Sequence, residues 1–232
     1  MRLPMSTPSP QASWLTSWIT VSRVSRNLVL TMRRLEALGL VVGTTGNGSV
    51  RAGDDLLITP TRFPYDQLRS RNLVRLPLTG EQRADTRAAS RELPLHLETY
   101  RARPDISAIV HTHSLMAIIW STLGRSLIGS IEEARYYGIE EIHLADPAPA
   151  GSIELAHSAT KALGSGSAVL LPNHGAMVVG RNLQSALHTA QAVEHIAAVA
   201  VSREMMTSER TGIPLTIEKT GASAVDNYWR PA

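Results

Sequence analysis

Ile109-Val110-His111-Thr112-His113 is a short apolar run that ends in two histidines one residue apart. A β-strand points successive side chains to opposite faces, so as a strand this run sets His111 and His113 on one face and turns Thr112 to the other. Two imidazoles then converge on one point, which is half of a metal site. A third histidine stands in Pro172-Asn173-His174-Gly175, directly after another apolar run, Ala168-Val169-Leu170-Leu171. Three neutral imidazoles suit a divalent transition metal, zinc above all, with positions left open for a carboxylate, water or substrate. The competing reading is of polar residues that merely close two strands, and spacing alone does not choose between them.

Composition narrows the setting. The 232 residues, 43% hydrophobic and 19% charged, suffice for one large globular domain with a sizeable core. The formal net charge is only +3, and the basic residues are scattered. Arg23, Arg26, Arg33 and Arg34 come nearest to a cluster, but helical spacing spreads them around an amphipathic segment. With four Trp, five Tyr and one Phe in the chain, neither a basic face nor stacking partners mark a nucleic-acid binder. There is no cysteine, so any metal must be held by histidine and carboxylate. Residues 1–11 are rich in Pro and Ser and lack the apolar core of a signal peptide. No apolar run approaches the roughly 18 residues that span a bilayer. The expectation is a cytoplasmic protein without a membrane partner.

Outward from the histidines, helices and strands alternate. Residues 13–38 read as a long helix with Val21, Val24, Leu28, Met32, Leu35 and Leu38 on one face and Gly39 placed to end it. Leu40-Val41-Val42 and Ser49-Val50-Arg51 read as extended segments around a Gly/Thr/Asn loop whose Asn47-Gly48 pair favours a hairpin. Such a loop also exposes backbone N–H groups that can hold an anion or hydroxyls. Residues 55–59 make another strand, stopped by Pro60-Thr61-Arg62-Phe63-Pro64, whose two prolines restrict the path of Thr61 and Arg62. Ser90 is placed to cap a helix running to about Ala102, in which Glu92, His96 and Tyr100 are neighbours at i, i+4 and i+8.

Beyond His113, residues 114–123 read as a helix with Gly124 at its end, and residues 132–137 as loop or short helix. Ser152 caps a helix to Leu163, and Asn182 caps a last helix whose apolar face includes Leu183, Leu187, Ala190, Val193, Ala197 and Val201. The tail from Ser208 is polar. Helices and strands alternating without regular strand-helix-strand units predict a mixed sheet with helices on its faces, in one domain.

The order of motifs is more specific than any one of them. GTTGNGSVR from Gly43, ITPT from Ile58, SRE from Ser90, IVHTHS from Ile109 and LLPNHG from Leu170, followed by a long helix, resembles the class II aldolase/adducin family, over roughly residues 14–205. The resemblance implies an α/β fold, a single three-layer αβα domain around a central, mainly antiparallel sheet. That domain would span residues 13–207, between a flexible lead (1–12) and a tail (208–232). It implies a homotetramer with active sites at subunit interfaces. Carried over by position, His111, His113 and His174 would bind Zn2+, with Mn2+ or Co2+ as alternatives. Glu92 would be the carboxylate that ligates the metal at rest and acts as acid/base once substrate displaces it. The residues alone did not single out Glu92 from Glu98, Asp105 or Glu132.

The chemistry this implies is cleavage of a carbon–carbon bond through a metal-stabilised enediolate, as in aldolases that split a ketose 1-phosphate. Asn47, Thr61 and Ser90 match phosphate-contacting positions of the phosphate-binding aldolases. Those enzymes read ITPTG and SSE where this chain reads Ile58-Thr59-Pro60-Thr61-Arg62 and Ser90-Arg91-Glu92. Arg62 and Arg91 thus stand where a Gly and a Ser are usual, and each offers a rigid fork of donors for phosphate or carboxylate. Glu132 lies near the position of a proton-transferring tyrosine, so Glu132 or Glu133, or Tyr136 or Tyr137 in their place, is a second acid/base candidate. Tyr228 is a candidate for reaching a neighbouring subunit's site. The same fold also serves decarboxylases of hydroxylated acids, dehydratases and epimerases, and adducin-like domains that lack the metal histidines. His96, His143, His157, His188 and His195 match no ligand position and are read as structural or exposed.

Overall fold

The computed structural model describes residues 10–79 and 88–211, with side chains from residue 21 to 79 and from 88 to 207. Residues 1–9 of the expected lead, and residues 212–232 of the tail with Tyr228 among them, lie outside the described residues. The first helix, α1, is Pro10–Ala37, followed by β1 Asn47–Ala52, β2 Asp55–Ile58, a 3-10 turn Ser70–Asn72 and β3 Val74–Pro77. Next come α2 Leu93–Ala102, β4 Ala108–Thr112, α3 Leu115–Ser121, β5 Leu127–Ile128, α4 Glu132–Tyr136 and β6 Glu141–Ile142. The chain continues through α5 Ile153–Leu163, β7 Ala168–Leu171, β8 Gly175–Gly180 and α6 Leu183–Thr211. One compact unit extends to Val201 and a second begins at Ser202.

Six strands form the central sheet in the order β3-β2-β1-β4-β8-β7, and β5 and β6 make a separate pair. Every ladder is antiparallel. The mixed sheet expected from element alternation is therefore corrected. The only parallel pairing among the described residues is the isolated bridge between Leu144 and Leu170. Short connections join β1 to β2 and β7 to β8, and antiparallel neighbours need no crossover.

The central strands are buried on both sides, and their alternation sorts the core into two layers. Ala108 and Val110 of β4, Leu170 of β7 and Val178 of β8 pack with Leu28, Met32 and Leu35 of α1, Trp120 of α3 and Val193 and Ala197 of α6. Ile109, Val169, Met177 and Val179 point the other way, against Leu95 and Tyr100 of α2 and Leu155, Ala159 and Leu163 of α5. That is the expected three-layer αβα arrangement. His111 shares its face of β4 with Ile109 and so looks toward α2.

Three local expectations are overturned. Leu40-Val41-Val42 is not a strand: the Thr45 N–H donates to Val42 O at 3.0 Å and the Val42 N–H to Thr45 Oγ1 at 3.0 Å, closing an irregular turn. Asn47-Gly48 lies inside β1, with Asn47 opposite His111. A Cβ at Gly48 would sit 2.5 Å from Met32 Sδ of α1, so that side chain would have to shift to admit one. Ser90 is not the cap of α2 either. Glu92 occupies that position, and Ser90 Oγ accepts from its N–H at 3.2 Å. The remaining caps follow the sequence. Ser152 Oγ accepts from Leu155 N at 3.0 Å, and Asn182 Oδ1 from Ser185 N at 2.8 Å.

Candidate metal centre

His111 is fully buried near the end of β4. Its Nδ1 lies 3.0 Å from the carbonyl oxygen of Ala176 on β8, which places the ring proton there and turns the Nε2 lone pair toward the other histidines. His113 follows the strand, and its N–H donates to Leu40 O at 3.1 Å. His174 stands in the turn between β7 and β8. Asn173 takes a left-handed conformation there, φ 56°, and donates its N–H to Ser121 Oγ of α3 at 3.0 Å. Gly175, at φ 138°, lets the turn press against β4, because a Cβ would run into the Thr112 carbonyl oxygen. The three rings stand 4.6 to 4.7 Å apart between centroids, and their ligand atoms lie within 4.8 Å of one another.

Glu92 arrives from the start of α2, 6% exposed. Its Oε2 lies 3.2 Å from His111 Nε2, and its Oε1 lies 3.5 Å from His174 Nε2. Asn47 Nδ2 donates to Oε2 at 2.7 Å, whereas Oε1 is buried without a hydrogen-bond partner. His111 Nε2 and His174 Nε2 approach to 3.3 Å. Two ligands about 2.05 Å from one ion at the tetrahedral angle lie about 3.3 Å apart, so these atoms fit the edges of a zinc-sized coordination polyhedron. Burial pushes the pKa of His113 down to about 3, with the neighbouring imidazoles adding to the shift. Burial also lowers His111 well below the usual value and lowers His174, the latter against the opposing pull of Glu92. The imidazoles are thus neutral donors beside an orphaned carboxylate oxygen, a set that matches a divalent metal.

Residues 26–201 match the family model described as the class II aldolase and adducin N-terminal domain. The chain belongs to the class II aldolase/adducin family. A 5-methylthioribulose-1-phosphate/5-deoxyribulose-1-phosphate aldolase of Rhodospirillum rubrum is 36% identical over 170 residues, covering 73% of this chain and 76% of that protein. The L-fuculose phosphate aldolase of Haemophilus influenzae is 33% identical over 177 residues, covering 76% and 82%. The solved L-fuculose-1-phosphate aldolase of Thermus thermophilus superposes with a TM-score of 0.72 at 28% identity, covering 84% of this chain and 99% of that one.

The other candidate positions of this class II aldolase/adducin chain divide into two groups. Asn47 and Ser90 are buried beside Glu92, one bonded to its carboxylate and the other to its N–H. Arg91 is exposed at its tip, yet its charge depresses the His174 pKa and its stem packs on Gly151. Thr61 and Arg62 are exposed, with the Thr61 N–H donating to Ala88 O at 3.0 Å. Arg62 has φ 52°, the region in which glycine is at ease.

Glu132 opens α4, its side chain 84% exposed and 3.8 Å from Arg135. Glu133 lies 3.9 Å from His195, and Tyr136 and Tyr137 pack edge to face on the same outward surface. These four side chains are thus exposed to different degrees, Glu132 and Tyr136 most fully. Sequence reasoning missed Tyr65, which is buried and donates its hydroxyl proton toward Gly46 O at 2.7 Å, steadying the approach to Asn47. A lone tyrosine in a loop carries no signal of that contact. Among the described residues no helix is long and apolar enough to cross a membrane.

Proposed function

We propose that the chain is a metal-dependent aldehyde-lyase, a class II aldolase that splits a ketose 1-phosphate or a related small hydroxy-carbonyl compound. The observation that carries this reading is the buried, unpartnered Oε1 of Glu92 among three neutral imidazoles. His111, His113, His174 and Glu92 would hold the ion, Zn2+ first and Mn2+ or Co2+ as alternatives. When bound, the metal supplies a Lewis acid at the substrate's carbonyl and adjacent hydroxyl oxygens.

Glu92, freed on the Oε1 side, moves a proton at the carbon next to the carbonyl. In the cleavage direction it returns that proton to the carbon that has just lost its bond to the aldehyde fragment. A second group accepts the hydroxyl proton as the aldehyde forms. Glu132 is the first choice, with Glu133, Tyr136 and Tyr137 as substitutes, and Tyr228 as a candidate from a neighbouring chain. Their outward placement supports a homotetramer in which α4 of one protomer serves another's site. Asn47, Thr61 and Ser90, joined by Arg62 and Arg91, would receive the substrate's anion. The products are dihydroxyacetone phosphate and an aldehyde, and the working compartment is the cytoplasm. The proposed catalytic domain spans residues 13–207.

One feature favours a second reading, decarboxylation of a hydroxylated acid. Arg91 brings a cation close enough to be felt at His174, where a substrate carboxylate would meet it. A panel of ketose 1-phosphates, including fuculose 1-phosphate and 5-deoxyribulose 1-phosphate, and of hydroxylated acids separates the two. Aldehyde release that stops on chelation and returns with Zn2+ is expected. Carbon dioxide without aldehyde would overturn the aldolase. Elemental analysis should find one divalent metal per chain, lost in His113→Ala; unchanged metal content in that variant would remove the ligand assignment.

A further inference from the structure

Behind Glu92 lies a polar chain whose His96, Ser49 and Tyr100 the proposed chemistry does not itself use. His96 is fully buried one turn along α2 from Glu92 and sits between two side chains of β1. Its Nδ1 is 2.6 Å from Ser49 Oγ and its Nε2 is 2.5 Å from Asn47 Oδ1. Asn47 Nδ2 completes the path at 2.7 Å from Glu92 Oε2, and Ser49 Oγ is 3.0 Å from the Tyr100 hydroxyl one further turn along α2.

The geometry at Glu92 orders the protons from the carboxylate back to His96. Against a carboxylate Asn47 must present its NH2, since a flipped amide would set two acceptors 2.7 Å apart. Its carbonyl oxygen then faces His96, so Nε2 carries the ring proton. Burial holds His96 neutral, with its pKa pushed down to about 4, which leaves Nδ1 as an acceptor. The Ser49 hydroxyl is then the donor to Nδ1, and the Tyr100 hydroxyl lies 3.0 Å from Ser49 Oγ and donates to the Ser107 carbonyl oxygen at 3.4 Å. Protons point one way along Ser49, His96 and Asn47, ending on the carboxylate.

We propose that His96 is a positioning residue that, through Asn47, pins Glu92 Oε2 and leaves Oε1 as the oxygen that leaves and returns. The inference rests on the reading of Glu92 as acid/base and adds the device that holds its pivot. A carboxylate swinging on both oxygens would lose aim, whereas one held at Oε2 returns to the same point on the substrate carbon. The same contacts commit one Asn47 N–H to Glu92, so Asn47 reaches a substrate anion only with its other N–H.

Two measurements test this. Ring 15N NMR of the wild-type protein should show His96 as the Nε2–H tautomer; an Nδ1–H tautomer overturns the chain. In parallel, His96→Leu should lower kcat and solvent-deuterium exchange into dihydroxyacetone phosphate about 10- to 100-fold. KM and metal content should hold, and His96→Gln, which restores a donor and an acceptor, should recover most of the loss. Exchange within twofold of wild type in folded His96→Leu overturns the positioning role. Absence of both metal and exchange in the wild type instead overturns the reading of Glu92, and the proposal with it.

Discussion

At the residue scale, Arg62 is the position where sequence and conformation disagree most openly. Its backbone is in the left-handed region, φ 52°, at the place where the phosphate-binding aldolases carry glycine. A Cβ there costs roughly 1 kcal/mol or more. Arg62→Gly should therefore raise the stability of the protein by about 1 kcal/mol, read as a higher urea midpoint at unchanged slope. If turnover of fuculose 1-phosphate also rises, Arg62 restricts the anion pocket; if stability rises and no substrate responds, its side chain faces solvent in the working enzyme.

At the scale of elements, the site depends on how α3 is tied down between His113 and the turn that bears His174. Ser114 stands at the N-cap of α3 but makes no cap hydrogen bond with its side chain. Glu194 from α6 does the work instead, accepting from Met116 N at 3.0 Å and Ala117 N at 3.1 Å. A carboxylate at a helix N-terminus meets both the free N–H groups and the helix dipole. Glu194→Ala should cost about 1–2 kcal/mol in chemical denaturation, and the loosened α3 should weaken metal retention on dialysis against a chelator. A loss of stability under about 0.3 kcal/mol would mean that solvent caps α3 equally well. This tie was invisible in the sequence because it joins residues separated by most of the chain's second half.

At the scale of the molecule, burial of neutral histidines couples folding to pH. Burial lowers the pKa of His96 to about 4 and that of His113 to about 3, against the usual 6.5 of a free imidazole. Between those limits the unfolded chain binds protons that the native chain refuses, so stability is fully present above about 6.5 and is lost as pH falls toward 4 and below. Protein stripped of metal should show a urea midpoint that drops from pH 7 to pH 5. A flat midpoint over that interval would mean that the native state takes up protons at these histidines.

The linear chain settled a good deal of this. The alternation in Ile109-Val110-His111-Thr112-His113 placed both imidazoles on one face because a strand has a period of two, and the caps at Ser152 and Asn182 are local hydrogen bonds that local sequence encodes. The family pattern chose Glu92, and α2 delivers it to the histidines. Only the tertiary structure decided that Asn47-Gly48 is strand rather than turn, because the two residues pair with His111 and Val110 of β4. It decided that α4 holds Glu132 outward, and that His96 is wired through Asn47 to Glu92. These depend on which face of β1 meets which face of α2, and no spacing along the chain carries that information until the sheet has set its register.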